Sequence, residues 1–243
     1  MRVIFKIFLK YYLKFLAKLA LVLYQPFIVA ITGSTNKTFF KEEVVRILQA
    51  KNLPVLSNAK SFNTEIGLPL AILSLPSGYN SFSDWLKIIF QAPLAVFKRL
   101  PKYLVLELGI SNPGDMKYLL SIIQPRIAII TDITQRYVES FSDIDGLIGE
   151  YEYLAQQMKN HDLLVLNNDN QRIKQMARIT QARVATFGLN EGADWQAVEV
   201  KKDNAGQIVN YSHEDIVNIE KIKYFGEHHV YALLAGLIVK NEL

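Results

Sequence analysis

The chain of 243 residues contains no cysteine. Disulfide bonds, thiolate metal sites and cysteine nucleophiles are therefore excluded, and the absence of thiols fits a reducing cytoplasm. No serine lies in the sequence pattern of a nucleophile elbow, and the sequence has no internal repeat or low-complexity tract. Hydrophobic residues make up 50% of the chain, which is enough for one large domain or two small ones with a sizeable core.

Acidic residues are absent from the first 24 positions. This stretch has a cation at every fourth residue, namely Arg2, Lys6, Lys10, Lys14 and Lys18. The remainder of the chain has 22 basic and 23 acidic residues, so the net charge of +4 arises from this one segment. A nucleic-acid-binding domain distributes basic residues over its folded surface. The sequence therefore argues against nucleic acid as a partner.

The basic segment, residues 1–26, is predicted to form an amphipathic helix that ends at Gln25-Pro26. Its cations form one stripe, and the other faces are apolar and rich in aromatic residues. This pattern is typical of a helix that lies in the interface of an anionic membrane. Two alternatives stay open. In the first, the helix packs on the protein's own core. In the second, it spans a membrane or acts as a signal peptide, and the regularly spaced lysines disfavour each of these two roles.

The glycine pattern of a general phosphate-binding loop is incomplete. That pattern has glycines six and one residues before a lysine, whereas Ile31 and Asn36 precede Lys37. Asn36 can replace glycine because asparagine adopts the left-handed conformation more readily than most residues. A strand, a tight turn and a helix are still predicted around Gly33, Lys37 and Thr38. The backbone N–H groups and the helix dipole suit a polyphosphate, the lysine can contact its outer phosphates, and the hydroxyl can hold Mg²⁺. The alternative is a strand–turn–helix with an exposed lysine.

The rest of the chain alternates between apolar strands and amphipathic helices. Strands are predicted at residues 27–32, 103–109, 126–131, 163–166 and 183–187, with a hairpin at 195–211, and helices at residues 37–51, 115–123, 143–159 and 228–239. This order predicts an α/β fold whose mostly parallel sheet is flanked by helices. Ligands bind at the carboxyl ends of such strands. Lys37, Glu107, Asp132 and Asn167 are expected to converge there.

Three further features concern individual segments and side chains. A carboxylate at the end of an apolar strand is costly in free energy unless it is paired or metal-bound. Glu107 is therefore predicted to be a metal ligand. His228 and His229 are adjacent on a helix and are predicted to face different sides. Residues 76–102 form an apolar, aromatic and basic insertion, with a helix kinked at Pro93. This insertion is a second membrane-facing helix or a core-packing element.

Five sequence motifs together resemble those of the Mur ligase family. They are Thr32-Gly-Ser-Thr-Asn-Lys-Thr38, which is similar to the ATP loop of that family; Asn63-Thr-Glu-Ile-Gly-Leu-Pro-Leu70; Leu106-Glu-Leu-Gly109 with Pro113-Gly-Asp115, which resembles the strand with a metal-binding glutamate; Leu166-Asn-Asn-Asp169; and Gly226-Glu-His-His-Val230. Their order and spacing match over about residues 27–240. The chain most resembles the branch that adds D-alanyl-D-alanine to the muramyl tripeptide.

In that family, ATP passes its γ-phosphate to a substrate carboxylate, and an amine then attacks the acyl phosphate to form an amide. The resemblance implies ATP and Mg²⁺ as cofactors, and a muramyl-peptide precursor of peptidoglycan and D-alanyl-D-alanine as partners. It implies that Lys37 and Glu107 are catalytic and that Thr38 and Glu107 hold Mg²⁺. The nucleotide-binding residues that it implies are Gly33, Ser34, Thr35, Asn36, Lys37, Thr38, Asn167 and His228, and those on the substrate and phosphate side are Asn63, Thr64 and Glu65.

The resemblance also implies a domain organisation. The basic membrane-interface helix at residues 1–26 precedes a central ATP-binding domain with a P-loop NTPase-like fold at residues 27–243, which includes the insertion at 76–102. The family normally has an N-terminal domain for the UDP-sugar and a C-terminal domain that helps to close on ATP. We expect that the sequence is a fragment or that the protein has lost these domains. Its expected location is the inner, cytoplasmic face of the cell membrane.

Several positions depart from the family motifs. Tyr137 stands where a metal-binding histidine is usual, and Tyr151 where a carbamylated lysine supports a second Mg²⁺. Asn36 replaces the last glycine of the loop, and Glu227 and Ala232 alter the last motif. Because tyrosine is a poor Mg²⁺ ligand, these changes weaken the second metal site and the adenine site. They favour a non-catalytic, membrane-attached nucleotide-binding or scaffold relative as an alternative to a ligase, and a third possibility is another P-loop ATPase.

Overall fold

The computed structural model of the chain describes residues 2–59, 61–135, 140–141 and 143–243, with Arg2 described by its backbone alone. Tyr137 lies outside these ranges. The strands are β1 (Phe27–Thr32), β2 (Val55–Ser57), β3 (Tyr103–Glu107), β4 (Ile127–Ile130), β5 (Leu163–Asn167), β6 (Arg183–Gly188), β7 (Trp195–Asp203), β8 (Gly206–His213) and β9 (Ile216–Ile222). The helices are α1 (Arg2–Tyr24), α2 (Lys37–Ala50), α3 (Gly67–Ile72), α4 (Phe82–Ala95), α5 (Asp115–Leu120), α6 (Ile144–Gln157), α7 (Gln171–Lys174) and α8 (Glu227–Glu242).

The described strands form one mostly parallel sheet, in the order β2-β3-β1-β4-β5-β6-β7-β8-β9. Strand β1 pairs in parallel with β3 and β4, and parallel pairing continues through β7. Strands β8 and β9 then add in antiparallel orientation. The predicted α/β sheet and the hairpin around residues 195–211 are confirmed. Strands β2 and β9 were not predicted.

Helices cover both faces of the sheet, and alternate residues of β1 belong to different cores. Val29 and Ile31 pack with residues of α2 and α8, whereas Ile28 and Ala30 pack with residues of α1, α3, α4, α5 and α6. Burial on both faces explains why β1 has a continuous apolar sequence without alternation. The parallel strands β1, β3, β4 and β5 all end at one edge of the sheet, and the candidate site lies there.

Helix α1 is apolar on two opposite faces. Its inner face consists of buried residues in the core beneath the sheet: Leu13, Leu16, Ala17 and Ala20, with Leu9 also buried. The outer face is exposed, and Phe15 for example is 65% exposed. The alternative of docking on the protein's own core is therefore confirmed for the inner face. In the part of the chain that the structure describes, every helix is too short or too polar to cross a bilayer.

Helix α4 has the same two-sided character. Ile88 and Ala92 are buried in the core, together with Val96 just beyond the helix, while Phe90 is 76% exposed. Ser81 caps the helix, since its hydroxyl accepts a hydrogen bond from the N–H of Asp84 at 3.3 Å. The predicted core-packing role is thus confirmed for one face of this insertion, and the other face stays exposed.

Candidate nucleotide site at the carboxyl edge of the sheet

The loop between β1 and α2 is shaped by two residues with positive φ angles. Gly33 has a φ of 139°, and a Cβ atom there would lie 2.2 Å from Oγ1 of Thr131, so glycine is required. Asn36, the residue before α2, has a φ of 63°. Asparagine therefore supplies the left-handed conformation, as predicted, and the loop forms despite its incomplete glycine pattern.

The end of β4 holds this loop in place. The N–H of Ser34 donates to the carbonyl of Asp132 at 2.7 Å, and Thr131 Oγ1 donates to the carbonyl of Thr35 at 2.7 Å. The Asp132 carboxylate accepts from Thr35 Oγ1 at 3.4 Å and from Asn170 Nδ2 at 2.6 Å. Asp132 thus converges on the loop as predicted, and its contacts position the loop backbone.

The side chain of Lys37 lies across the loop. Its Nζ donates to the carbonyl of Gly33 at 2.7 Å and to that of Ser34 at 3.4 Å. Helix α2 begins at Lys37, so the positive end of its dipole lies at the loop that the ammonium group crosses. A helix N-terminus together with a lysine favours an anion at this position.

The carboxylate of Glu107 ends β3 beside the same loop. It is 7% exposed, and its Oε2 accepts from Thr38 Oγ1 at 3.1 Å while its Oε1 accepts from Asn63 Nδ2 at 2.8 Å. Nζ of Lys41 lies 3.9 Å from Oε2. Gly109 makes room for the amide, because a Cβ there would lie 2.8 Å from Cγ of Asn63. These contacts stabilise a buried charge that would otherwise be costly.

Two residues that sequence reasoning missed hold Glu107 in position. The Asn58 amide donates to the Glu107 carbonyl at 3.0 Å and accepts from the Glu107 N–H at 2.9 Å. Lys41 Nζ donates to the Asn58 carbonyl at 2.7 Å. The spacing of Lys41, one helical turn after Lys37, signals a shared helix face. Asn58 had no comparable signal, because its contacts join segments that are distant in the sequence.

The Thr38–Glu107 pair presents two oxygen atoms next to the loop. Mg²⁺ prefers oxygen ligands and is usually bound by one or two carboxylates together with substrate phosphates, so this pair fits the ion. Across residues 2–59, 61–135, 140–141 and 143–243, no group of three or more His, Cys, Asp or Glu side chains could hold a metal. Any Mg²⁺ at this pair would therefore need oxygen ligands from phosphates or water as well.

The three predicted substrate-side residues separate in the structure. Asn63 reaches the Glu107 carboxylate, whereas Thr64 Oγ1 accepts from the N–H of Gly67 at 3.3 Å, at the start of α3. Glu65 forms an ion pair with Lys6 of α1, with 3.1 Å between Oε1 and Nζ. The structure therefore connects residues 63–65 to the Glu107 carboxylate at the end of β3 and to the N-terminal helix.

A cavity of about 690 Å³ opens between the loop and the start of α8. Its lining includes Asn36, Gln207, Gly226, His228 and Tyr231. His228, which is predicted to lie on the adenine side, thus lies next to the β1–α2 loop. Another cavity, of about 410 Å³, lies where β4 and β5 begin, at the opposite edge of the sheet from the loop.

Asn167 supports this region through backbone contacts. Its amide donates to the carbonyl of Thr131 at 3.0 Å and accepts from the N–H of Asp169 at 3.0 Å. The Asp169 carboxylate accepts from the hydroxyl of Tyr231 at 2.8 Å, and burial, followed by this hydrogen bond, raises the pKa of Tyr231. Tyr231, which the sequence analysis did not single out, therefore connects the end of β5 to α8.

Two departures from the family motifs lie in the protein interior. Tyr151 of α6 is 1% exposed and belongs to the core that includes α1. Ala232 of α8 is also 1% exposed and belongs to the core that includes α2. Side chains packed in this way stabilise the fold. The predicted weakening of a second metal site and of the adenine site stays a prediction.

His228 and His229 both contact Phe39 of α2. The ring centroids lie 4.6 Å and 4.9 Å from that of Phe39, and the two imidazoles are 4.3 Å apart. The prediction that they face different sides of the helix is wrong, because one large ring contacts both adjacent positions. Burial lowers the pKa of His229, and the neighbouring His228 lowers it further.

The lowered pKa of His229 predicts a dependence of stability on pH. The folded state disfavours the protonated ring, so the unfolded state takes up a proton first as the pH falls below the ordinary value of about 6.5. The contribution of His229 to the free energy of unfolding should therefore be fully present above that range and decrease as the pH falls through it. NMR titration should give a midpoint below that of an unstructured histidine, and His228→Gln should raise it. An unchanged midpoint in that variant would contradict the assigned cause.

Comparison with known proteins identifies relatives over nearly the whole chain. The sequence profile of the Mur ligase middle domain matches residues 31–240. The UDP-N-acetylmuramoyl-tripeptide–D-alanyl-D-alanine ligase of Haemophilus influenzae is 25% identical over 217 residues, which are 87% of this chain and 42% of that protein. The Bacillus subtilis ligase of the same name is 24% identical over 86% of this chain and 40% of its own length. This chain therefore spans less than half the length of these relatives.

Solved structures show the same architecture. A crystal structure of MurF from Acinetobacter baumannii has a TM-score of 0.77 at 19% identity, covering 94% of this chain and 46% of that one. MurF ligase from Thermotoga maritima, solved in complex with ADP, has a TM-score of 0.78 at 23% identity, covering 95% of this chain and 48% of that one. These likenesses confirm the predicted fold. Because the family profile also spans the β1–α2 loop, Glu107 and His228, the chain belongs to the Mur ligase family and represents its middle domain.

Proposed function

We propose that this chain binds Mg-ATP at the β1–α2 loop and takes part in ATP-dependent amide bond formation on a muramyl-peptide precursor of peptidoglycan. The observation that carries the proposal is the 3.1 Å contact between Thr38 Oγ1 and Glu107 Oε2 beside that loop. A hydroxyl and a carboxylate in this arrangement suit the Mg²⁺ ion of a nucleotide. The family assignment and the names of the curated relatives support the substrate class.

The proposed reaction has two steps. An oxygen of the muramyl-peptide carboxylate attacks the γ-phosphorus of ATP, the bond from that phosphorus to the bridging oxygen breaks, and ADP leaves. The amine of D-alanyl-D-alanine then attacks the acyl carbon, phosphate leaves with the electron pair of the C–O bond, and the amine releases a proton to water. Catalysis of this kind depends mainly on positioning and on charge neutralisation.

The residues of the loop region have distinct roles in this proposal. The ammonium group of Lys37 exchanges the carbonyls of Gly33 and Ser34 for the outer phosphates. Thr38 and Glu107 would hold Mg²⁺, which would neutralise triphosphate charge. Asn63 keeps the Glu107 carboxylate in one orientation through the 2.8 Å hydrogen bond.

The test is an assay of ADP formation with the purified chain, Mg-ATP and UDP-muramyl-tripeptide, with and without D-alanyl-D-alanine. Hydroxylamine in place of the dipeptide would trap an acyl phosphate as a hydroxamate. ADP formation that depends on the tripeptide supports the ligase. Nucleotide binding without tripeptide-dependent ADP formation favours the alternative that this chain is a non-catalytic relative of the ligases. The packing of Tyr151 in the core supports that alternative.

Replacement of Glu107 by glutamine tests the Mg²⁺ site separately. Glutamine has nearly the same shape but no charge, so we expect ATP to bind about tenfold or more weakly in Mg²⁺ while its affinity in EDTA changes little. Calorimetric titration under both conditions measures the difference. Glu191→Gln, in an exposed loop, is the matched control. Equal losses with and without Mg²⁺ would assign Glu107 to the structure of the loop rather than to the metal.

A further inference from the structure

Helices α1 and α4 lie side by side and run in the same direction. The rings of Phe5 and Phe82 are 5.2 Å apart, and the hydroxyl of Tyr12 donates to the carbonyl of Ile89 at 2.8 Å. These two contacts are separated by seven residues in both helices, so the helices are parallel. They cover the sheet face opposite α2 and α8, away from the helix that follows the phosphate loop.

The outer face of α1 is a continuous apolar stripe. Its members recur every three or four residues and are each at least 38% exposed: Ile4, Phe8, Tyr11, Phe15, Leu19 and Val22. The stripe lies opposite the buried face that contains Leu13 and Leu16. It is therefore a second apolar surface of the same helix, in addition to the one that packs on the core.

The outer face of α4 extends this surface. Its exposed apolar residues follow the same spacing and continue just past the helix: Phe82, Leu86, Phe90, Leu94 and Phe97. Because the two helices are adjacent and parallel, the two stripes form one surface with many aromatic rings. We call it the α1–α4 surface. Exposed apolar areas of this kind mark interaction sites on soluble proteins.

Cations border this surface on both sides. On the α1 side, Lys10 and Lys14 lie near the ring of Tyr118 on α5, with Nζ 3.9 Å and 4.7 Å from its centroid, on the flank of α1 away from α4. On the other side, Lys87 of α4 is exposed. Helix α1 and residues 82–99 together contain eight lysines and arginines but only one acid, Asp84.

We propose that the α1–α4 surface docks this protein on an anionic lipid bilayer. The apolar stripes enter the boundary between head groups and acyl chains, and the bordering cations contact the phosphates of the lipids. A second copy of the chain is the other candidate occupant. Contact between two such surfaces would bring the bordering cations of one copy, such as Lys10 and Lys14, near those of the other, which is unfavourable, whereas an anionic bilayer matches their charge. The proposal does not depend on nucleotide binding or on the ligase reaction.

Vesicle co-sedimentation of the whole chain tests this docking. We expect binding to vesicles of equal parts phosphatidylglycerol and phosphatidylcholine, weaker binding at high salt, and little binding to pure phosphatidylcholine. Phe15→Asp and Phe90→Asp should each reduce the partition coefficient about tenfold or more. Each variant lacks an aromatic ring that would become buried in the bilayer on binding. Ile219→Asp on β9, which is also exposed, should leave it unchanged.

A charge series separates lipid binding from nonspecific adhesion. The triple variant Lys18→Gln, Lys98→Gln, Arg99→Gln should lower the affinity and reduce its salt dependence. The triple variant Lys174→Gln, Lys221→Gln, Lys223→Gln removes the same charge from exposed positions on other elements and should bind like the parent chain. Circular dichroism and thermal unfolding verify that the variants are folded.

Three outcomes would overturn the proposal. They are a folded chain that does not bind anionic vesicles, equal losses in both triple variants, and a dimer in sedimentation velocity experiments that Phe15→Asp dissociates. The last result would assign the α1–α4 surface to a second copy of the chain. Lys37→Ala should retain vesicle binding, so a failure of the nucleotide proposal is distinguishable from a failure of this one.

Discussion

Replacing Lys37 with alanine is expected to abolish detectable binding of Mg-ATP. The ammonium group now contacts two loop carbonyls, those of Gly33 and Ser34, and it would contact phosphate oxygens in their place. Each charge-assisted hydrogen bond contributes about 1.5–3 kcal/mol, so two of them correspond to a loss of affinity of roughly 100-fold or more. Isothermal titration calorimetry of the purified chain measures this loss.

The control for this experiment is Lys174→Ala, which removes an exposed lysine outside the loop and should leave the affinity for ATP unchanged. Thermal unfolding in the absence of nucleotide shows whether Lys37→Ala itself disturbs the fold. If the parent chain binds ATP and the variant binds equally well, the nucleotide lies elsewhere and the loop is a structural turn. A parent chain that is folded but does not bind ATP would favour the scaffold interpretation.

Replacing Leu13 with alanine is expected to lower the free energy of unfolding by about 2–5 kcal/mol, the usual range for a leucine that is deleted from a packed core. Leu13 is fully buried, at 0% exposure, in the core shared by α1, α3, α4, α5 and α6. Helix α1 is therefore part of the folded domain. Urea unfolding followed by circular dichroism gives the change.

Phe15 supplies the matched comparison within the same helix. It is a larger side chain only two residues away, but it is 65% exposed, so Phe15→Ala should change the free energy of unfolding by less than about 0.5 kcal/mol. Equal destabilisation by the two variants would mean that the outer face of α1 is covered in solution. A small effect of Leu13→Ala would mean that α1 does not dock on the core as the structure describes.

The fold was predictable where burial determines the sequence pattern. Strands β1 and β3 lie in the middle of a parallel sheet, so both faces are apolar and the strands were recognised from runs such as Phe27–Thr32. Strand β9 was missed because it lies at the sheet edge, where apolar residues such as Ile216, Val217 and Ile219 are exposed and the sequence lacks the apolar–polar alternation of a half-buried strand. Strand β2 spans three residues, which is too short for a pattern.

The candidate site was predictable to the extent that sheet geometry brings strand ends together. The contact of Thr38 with Glu107 follows from the parallel pairing of β1 and β3, which places Ile31 beside Glu107. The contribution of Asn58 was not predictable, because a hydrogen bond between distant segments leaves no local pattern. Which apolar face of α1 packs on the core could not be predicted either, for another reason. Apolar residues on both faces look the same in a sequence, whether they contact core or solvent.

The packing of α8 on α2 has a consequence for protein synthesis. The helices approach closely at Gly236, where a Cβ would lie 2.6 Å from Cδ1 of Ile47, and Val44 and Leu48 are buried in the same core as α8. The ribosome makes α8 long after α2, with a delay of roughly 10–35 s at ordinary elongation rates. Throughout that interval the face of α2 that α8 covers in the folded chain is exposed, so we expect the nascent chain to be prone to aggregation until residues 227–242 have been made.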